Sequence, residues 1–213
     1  MIQLYTGDGK GKTTAAVGQA VRAAGSGYRV IFCQFMKGGE SGELAILKEL
    51  PQVEIYRCER EFPFFNAMTD RDKEEITEIH NEIIRNIIRR LDGLNNTGNI
   101  STNGSGAAGL MVVLDEITYP LNWGLIDVSL FKDLVGKMKA LYNGRSGDSG
   151  EESLSRIELV LTGREPDRFI LENADYITEM KKLRHPFDRG IQARKGIGHN
   201  ILLTIISSVK RPV

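Results

Sequence analysis

The chain has 213 residues, a length that suits one ordinary domain carrying insertions. Its 28 Lys and Arg balance 28 Asp and Glu, which argues against a nucleic-acid coat or a polybasic membrane binder. An apolar content of 41% excludes wholesale disorder, and glycine is the outlier, at 23 residues against an average usage of about 7%.

The opening MIQLYTGDGKGK has no basic-then-apolar leader, and no apolar run approaches the roughly 20 residues that cross a bilayer. Cys33 and Cys58 are too few for a disulfide scaffold or a four-thiolate zinc site and read as small buried thiols. The expected compartment is the cytoplasm.

Ile2–Tyr5 reads as a short strand, broken by Thr6-Gly7. Thr13–Ala24 reads as a helix whose alanines let it sit close to a sheet. Arg29–Phe35 is β-branched and aromatic, a buried strand. Lys37–Gly42 is a loop, Glu43–Leu50 a helix and Val53–Cys58 a strand. Asp70–Leu91 is the clearest helix, with isoleucines three and four apart. Thr69 or Asp70 caps its start, and Arg85, Arg89 and Arg90 suit its end. Asp92–Gly109 is polar and aperiodic and reads as a flexible insertion. Leu110–Leu114 suits a central parallel strand and ends in Asp115-Glu116. Ser129–Leu141 reads as a helix, and the stretch 143–154 as a second flexible insertion. Ile157–Leu161 is a strand running into Thr162-Gly163-Arg164. Pro166–Ala174 is helical with Pro in its first turn, and Tyr176–Met180 is a last strand.

Strands and helices alternate, so the predicted fold is α/β: a mostly parallel sheet with helices on both faces, P-loop NTPase-like, in a single domain over 1–213. Ligands of such sheets bind beyond the carboxyl ends of the strands. Gly7–Thr14, Gln34–Lys37, Asp115-Glu116 and Thr162–Arg164 all fall there.

Gly7-Asp8-Gly9-Lys10-Gly11-Lys12-Thr13-Thr14 links the first strand to the first helix. It misses the strict phosphate-loop pattern at one position, because Thr6 stands where the leading glycine belongs. The physics survives: Gly7, Gly9 and Gly11 let backbone N–H groups converge on an anion, and the helix adds its positive end. Lys12, with Lys10, neutralises phosphate charge, and Thr13 offers a hydroxyl to Mg²⁺. A nucleoside triphosphate is the expected ligand. Asp115 and Glu116 end a Walker-B-like strand, where a carboxylate holds Mg²⁺; the residues alone do not rank the two. Arg164 is placed to touch a nucleotide. Arg22, on the first helix, reads by itself as a solvated arginine.

The ordered set TGDGKGKTTAAVGQAVRAAG, VIFCQFMKGGESGE, VVLDEITY, VLTGR and HPFDRGIQARKGIG resembles the P-loop ATP:corrinoid adenosyltransferases over nearly the whole chain apart from the insertions and the last residues. The resemblance implies transfer of the 5′-deoxyadenosyl group of ATP to a Co(I) corrinoid, with release of triphosphate. It implies a triphosphate cradle over Asp8–Thr14, arginines near the nucleotide at Arg22 and Arg164, and Glu116 as the acid associated with Mg²⁺. Co(I) is itself the nucleophile, so the protein positions partners and stabilises a charged leaving group. Aromatic residues after the third strand help free Co(II) of its lower ligand, and Phe62 and Phe64 occupy that stretch; a Phe at position 64 departs from the family's frequent Trp. The family further implies a homodimer and a flavoprotein reductant. Proteobacterial members carry an N-terminal cover over the active site, which here is absent or comes from a neighbour. The alternative expectation is a P-loop kinase or ATPase acting on another small molecule.

Overall fold

The computed structural model describes residues 1–39, 41–97, 108–143, 156–192, 194 and 196–197. Its core is a six-stranded, all-parallel sheet in the order β3-β2-β4-β5-β1-β6. The strands are β1 (Ile2–Thr6), β2 (Tyr28–Gln34), β3 (Val53–Arg57), β4 (Gly109–Asp115), β5 (Arg156–Thr162) and β6 (Tyr176–Glu179). The helices are α1 (Lys12–Gly25), α2 (Gly42–Leu47), α3 (Asp70–Thr97), α4 (Thr118–Asn122), α5 (Val128–Asn143) and α6 (Arg168–Asn173). No described helix is long and apolar enough to cross a membrane.

Side chains on a strand alternate between the two faces of a sheet, and β4 shows the consequence. Met111 and Val113 face one layer, where Ala16, Ala20, Ala23 and Ala24 of α1 pack with Leu44 and Leu47 of α2. Leu110, Val112 and Leu114 face the other, against Ile83, Ile84, Ile87 and Leu91 of α3 and Phe131, Leu134 and Met138 of α5. Every residue of β4 is buried, as a central parallel strand requires. The alanine face of α1 lets that helix lie close on the sheet, so the loop that precedes it is held at the carboxyl ends of the strands. Both cysteines are free and buried.

Several sequence expectations shift in position. Thr69 is the α3 cap: its hydroxyl accepts from the Asp72 N–H at 3.2 Å, and the Asp72 carboxylate accepts from the Thr69 N–H at 3.1 Å. The helix continues to Thr97, into the stretch read as an insertion, and the arginines expected at its end find partners along the helix or on the sheet. Arg85 pairs with Glu78 and Glu82, Arg89 with Glu82, and Arg90 crosses to Glu54 on β3. The rest of the first insertion and nearly all of the second lie outside the described residues. Pro166 precedes the cap of α6 rather than entering its first turn; Asp167 caps by accepting from Ile170 N–H at 2.8 Å. The short helix α4 was not expected, since Pro120 in its middle obscures the pattern.

Candidate active site

The Gly7–Gly11 loop is clasped by the chain that leaves β6. Gly9 N–H donates to Met180 O at 2.6 Å, and Lys182 N–H donates to the Asp8 carboxylate at 2.9 Å. That bond, ahead of Arg164 and Lys182 charge, holds Asp8 below the ordinary carboxylate range. A Cβ at Gly7 or Gly9 would lie 2.4 or 2.6 Å from Met180 O, so the glycines are required by this packing as well as by loop curvature. Gly9 therefore spends its N–H on Met180 rather than on an anion. Gly7 and Gly11 have φ of 103° and 119°, a region that L side chains rarely enter.

Lys12 is buried at the start of α1, and its Nζ donates to Gly7 O at 2.8 Å and Gly9 O at 2.9 Å. Burial pulls its pKa down, against the raising effect of Glu116. Arg164, just beyond β5, donates to Asp8 O at 3.2 Å and stands over the same loop. Lys10 and Thr14 are exposed at the loop and at the helix start. Arg22 is not brought to this cluster. It lies exposed in the last turn of α1, about 15 Å along the axis from Lys12 at 1.5 Å per residue, and its electrostatic neighbour is Tyr5.

Across the loop sits a network centred on Asp115, fully buried at the end of β4. Its Oδ1 accepts from Thr13 Oγ1 and from Thr162 Oγ1, both at 2.8 Å, and its Oδ2 accepts from Lys37 Nζ at 2.7 Å. Thr162 Oγ1 in turn accepts from Glu116 N–H at 2.8 Å. Glu116 has a left-handed φ of 63° that turns it off the strand line, and its Oε2 is buried with no hydrogen-bond partner among the described residues. Burial, then Asp115, raises the Glu116 pKa. The two other such orphans, Gln34 Oε1 and Thr118 Oγ1, lie at the same carboxyl end of the sheet. Native interiors rarely leave such groups unpaired.

Beside this network opens an apolar cavity of about 120 Å³, walled by Phe62, Phe64, Phe65, Met68, Ile76 and Trp123, with Lys37 at its rim. The Arg60 guanidinium stands 4.6 Å from the Phe62 ring centre and is itself held by Asp72 and Glu75 of α3. Phe65 stacks on Trp123, which follows α4. Phe62 and Phe64, read from sequence, thus share one cavity. Phe65 and Trp123 were not read as site residues, and Lys37 and Thr162 were placed only in segments at the ligand-binding end of the sheet, with no role given. The Thr-Gly-Arg exit of β5 hinted at Thr162, whereas Trp123 carried no local signal.

The chain matches the family ATP:corrinoid adenosyltransferase BtuR/CobO/CobP over residues 1–199. The corrinoid adenosyltransferase of Escherichia coli K12 is 30% identical over 201 residues, covering 93% of this chain and 85% of that protein. Corrinoid adenosyltransferase CobA of Salmonella typhimurium is 30% identical over 200 residues, with the same coverage of each chain. Among solved structures, EssC (ATPases 2 and 3) from Geobacillus thermodenitrificans overlays with a TM-score of 0.43 at 12% identity, covering 92% of this chain and 35% of that one. The glycine loop, the Asp115-Glu116 strand end and the aromatic cavity therefore belong to a chain that is a member of the ATP:corrinoid adenosyltransferase family.

Proposed function

We propose that the chain performs its family's reaction, transfer of the 5′-deoxyadenosyl group from ATP to a Co(I) corrinoid, at the junction of the glycine loop and the aromatic cavity. The observation that carries this placement is Lys37: its ammonium bonds to Asp115 and lies 3.3 Å from Thr13 Oγ1, while the residue also rims the cavity. The polar site and the aromatic cavity thus share a wall, which suits a transfer between an anionic nucleotide and a flat macrocycle.

In this reading the Co(I) lone pair attacks the ribose 5′ carbon. A Co–C bond forms, the C5′–O bond breaks, and its electron pair leaves with triphosphate. The protein supplies orientation and positive charge at the leaving group. Lys12 lies across the loop carbonyls, Lys10 and Arg164 flank it, and the Thr13 and Thr14 N–H groups open α1. Arg22 is assigned a supporting role, farther from the loop.

Mg²⁺ fits this site. The Thr13 hydroxyl and the Glu116 carboxylate, whose buried Oε2 has no hydrogen-bond partner among the described residues, would hold it as hard oxygen donors. Asp115 orients Thr13 rather than presenting a free oxygen. When bound, Mg²⁺ offsets charge on the triphosphate.

Phe62 and Phe64 are assigned to the corrinoid side. The cavity is too small to enclose a corrin, so it receives an edge or an axial group while the ring lies over the mouth. The proposed working form is a cytoplasmic homodimer served by a flavoprotein reductant, and light scattering reads the dimer directly.

The test mixes the protein with ATP, Mg²⁺ and chemically reduced corrinoid. The Co–C spectrum and triphosphate are expected, and orthophosphate as the only product overturns the reading. Lys12→Ala is expected to lower kcat about 10²-fold, the loss typical of one preorganised charge donor.

A further inference from the structure

Lys37 is placed by a built turn. Met36 before it adopts a left-handed φ of 58°, and its N–H faces His80 Nε2 at 3.5 Å. The carbonyls of Gly38 and Gly39 after it accept from the Arg57 guanidinium. A Cβ at Gly38 would lie 2.1 Å from Arg60 O, so the turn admits only glycine there. The exits of β2 and β3 and the helix α3 thus converge to aim one ammonium at Asp115.

The position that ammonium takes is chemically specific. It lies 2.7 Å from Asp115 Oδ2 and 3.3 Å from Thr13 Oγ1, an acid and a hydroxyl of the kind that hold a divalent cation at a phosphate loop. With Thr13 and Thr162 on Oδ1 and Lys37 on Oδ2, both Asp115 oxygens are engaged. Among the described residues Glu116 is the one acid with a buried, unpartnered carboxylate oxygen.

We infer that Lys37 is an internal counter-cation that occupies the Thr13–Asp115 cation position, so that a divalent metal enters only together with the nucleotide and is met by Glu116 rather than Asp115. The inference rests on the proposed Mg²⁺ site at Thr13 and Glu116. Its logic is that of charge count. Two adjacent carboxylates beside a hydroxyl would bind a metal without substrate; a fixed ammonium cancels one of them. Affinity at oxygen sites follows ligand charge and rigidity, so removing the ammonium raises it. Lys37 is therefore a positioning residue for the acid pair.

The experiment uses the full chain and Mn²⁺ alone, read by the EPR signal of free Mn²⁺ without nucleotide. Wild type is expected to bind Mn²⁺ weakly. Lys37→Met is expected to bind roughly tenfold more tightly or better, since one net negative charge is gained at an oxygen site. Lys37→Met combined with Asp115→Asn is expected to lose that gain, and Lys37→Arg is expected to match wild type. Unchanged or weaker Mn²⁺ binding by Lys37→Met overturns the inference. Stoichiometric binding of Mn²⁺ to wild type without nucleotide also overturns it, whatever the variants do. The Glu116 assignment is separated by Glu116→Gln with ATP present: unaltered Mn²⁺–ATP binding removes that assignment while leaving the Lys37 result to stand or fall on the metal-alone titration.

Discussion

The Phe65 ring lies nearly parallel to that of Trp123, with centroids 4.8 Å and planes 14° apart. Phe65 belongs to the segment after β3, and Trp123 follows α4, which itself follows the acid pair of β4. The stack therefore joins the aromatic side of the site to the end of α4, the helix that follows Asp115 and Glu116. Tyr119 of α4 braces Trp123 from the same helix, with centroids 5.1 Å apart. Such ring pairs contribute about 0.5–1.5 kcal/mol beyond their buried area. Trp123→Ala is expected to raise the KM for corrinoid about tenfold while leaving the KM for ATP within about twofold, because tenfold corresponds to roughly 1.4 kcal/mol of lost packing. Trp123→Phe is expected to restore most of the loss. Equal changes in both KM values would show that the stack supports the fold rather than the corrinoid side.

Glu116 illustrates a conflict between stability and chemistry. Its raised pKa means that the folded chain holds its proton more tightly than the unfolded chain does. Stability tied to this group is present at low pH and is lost as pH rises from the unfolded carboxylate value through the folded one. Above the unfolded carboxylate value the group thus works against folding, because burial and Asp115 oppose its negative charge. Glu116→Gln, which keeps shape and removes charge, is expected to stabilise the metal-free chain by about 1 kcal/mol. It is also expected to reduce Mg²⁺-dependent kcat about 10²-fold. Urea unfolding and steady-state rates check the two halves; a less stable variant contradicts the first.

His80 supplies a pH signature of the opposite kind to a switch. It is fully buried against Phe35, with Nδ1 2.9 Å from Leu125 O, and burial lowers its pKa to about 4. The unfolded chain binds this proton near pH 6.5, so stability from the neutral ring is complete above that value and falls as pH drops toward 4. Between pH 7 and pH 5 the expected loss from this residue is about 2 kcal/mol. His80→Asn keeps a donor for Leu125 O without taking up a proton. Its stability is expected to change about 2 kcal/mol less than wild type over that range. Parallel pH profiles for the two proteins would exclude the buried neutral ring as the cause.

The alternating strands and helices, the glycine loop and the Asp115-Glu116 strand end were legible because each is a local pattern. Alternation at period two or 3.6, and a glycine-lysine turn between strand and helix, need only neighbours in sequence. What escaped is made of distant partners. Thr162 meets Asp115 because β5 lies beside β4, and Met180 meets Gly9 because β6 lies beside β1. No spacing encodes those adjacencies. Between Asp115 and Glu116 the sequence offered no ranking; the three donors on Asp115 and the unpartnered oxygen on Glu116 separate their roles in tertiary space. The length of α3 was under-read for a related reason. Glycine and asparagines after Leu91 argue for a loop by propensity, while Lys137 of α5 holds Asp92 at 2.6 Å and keeps the helix going.

The glycine excess divides by what each glycine touches, and that division is measurable. Gly18 in α1 and Gly136 in α5 have open space where a Cβ would stand, and neither has a positive φ. Each costs its helix the entropy of an unrestrained backbone for no steric return. Gly18→Ala and Gly136→Ala are each expected to stabilise the chain by about 0.5–1 kcal/mol. Gly9 is the contrast. Its N–H is bonded to Met180 O, and a Cβ there would lie 2.6 Å from that oxygen. Gly9→Ala must push the β6 exit off the loop, breaking the clasp that also seats Asp8 on Lys182 N–H. It is expected to raise the KM for ATP by at least about tenfold, the equivalent of one lost hydrogen bond. Urea midpoints for the helix variants and ATP titrations for Gly9→Ala test the assignment. A Gly9→Ala protein with wild-type ATP affinity would show that the loop does not depend on its contact with Met180.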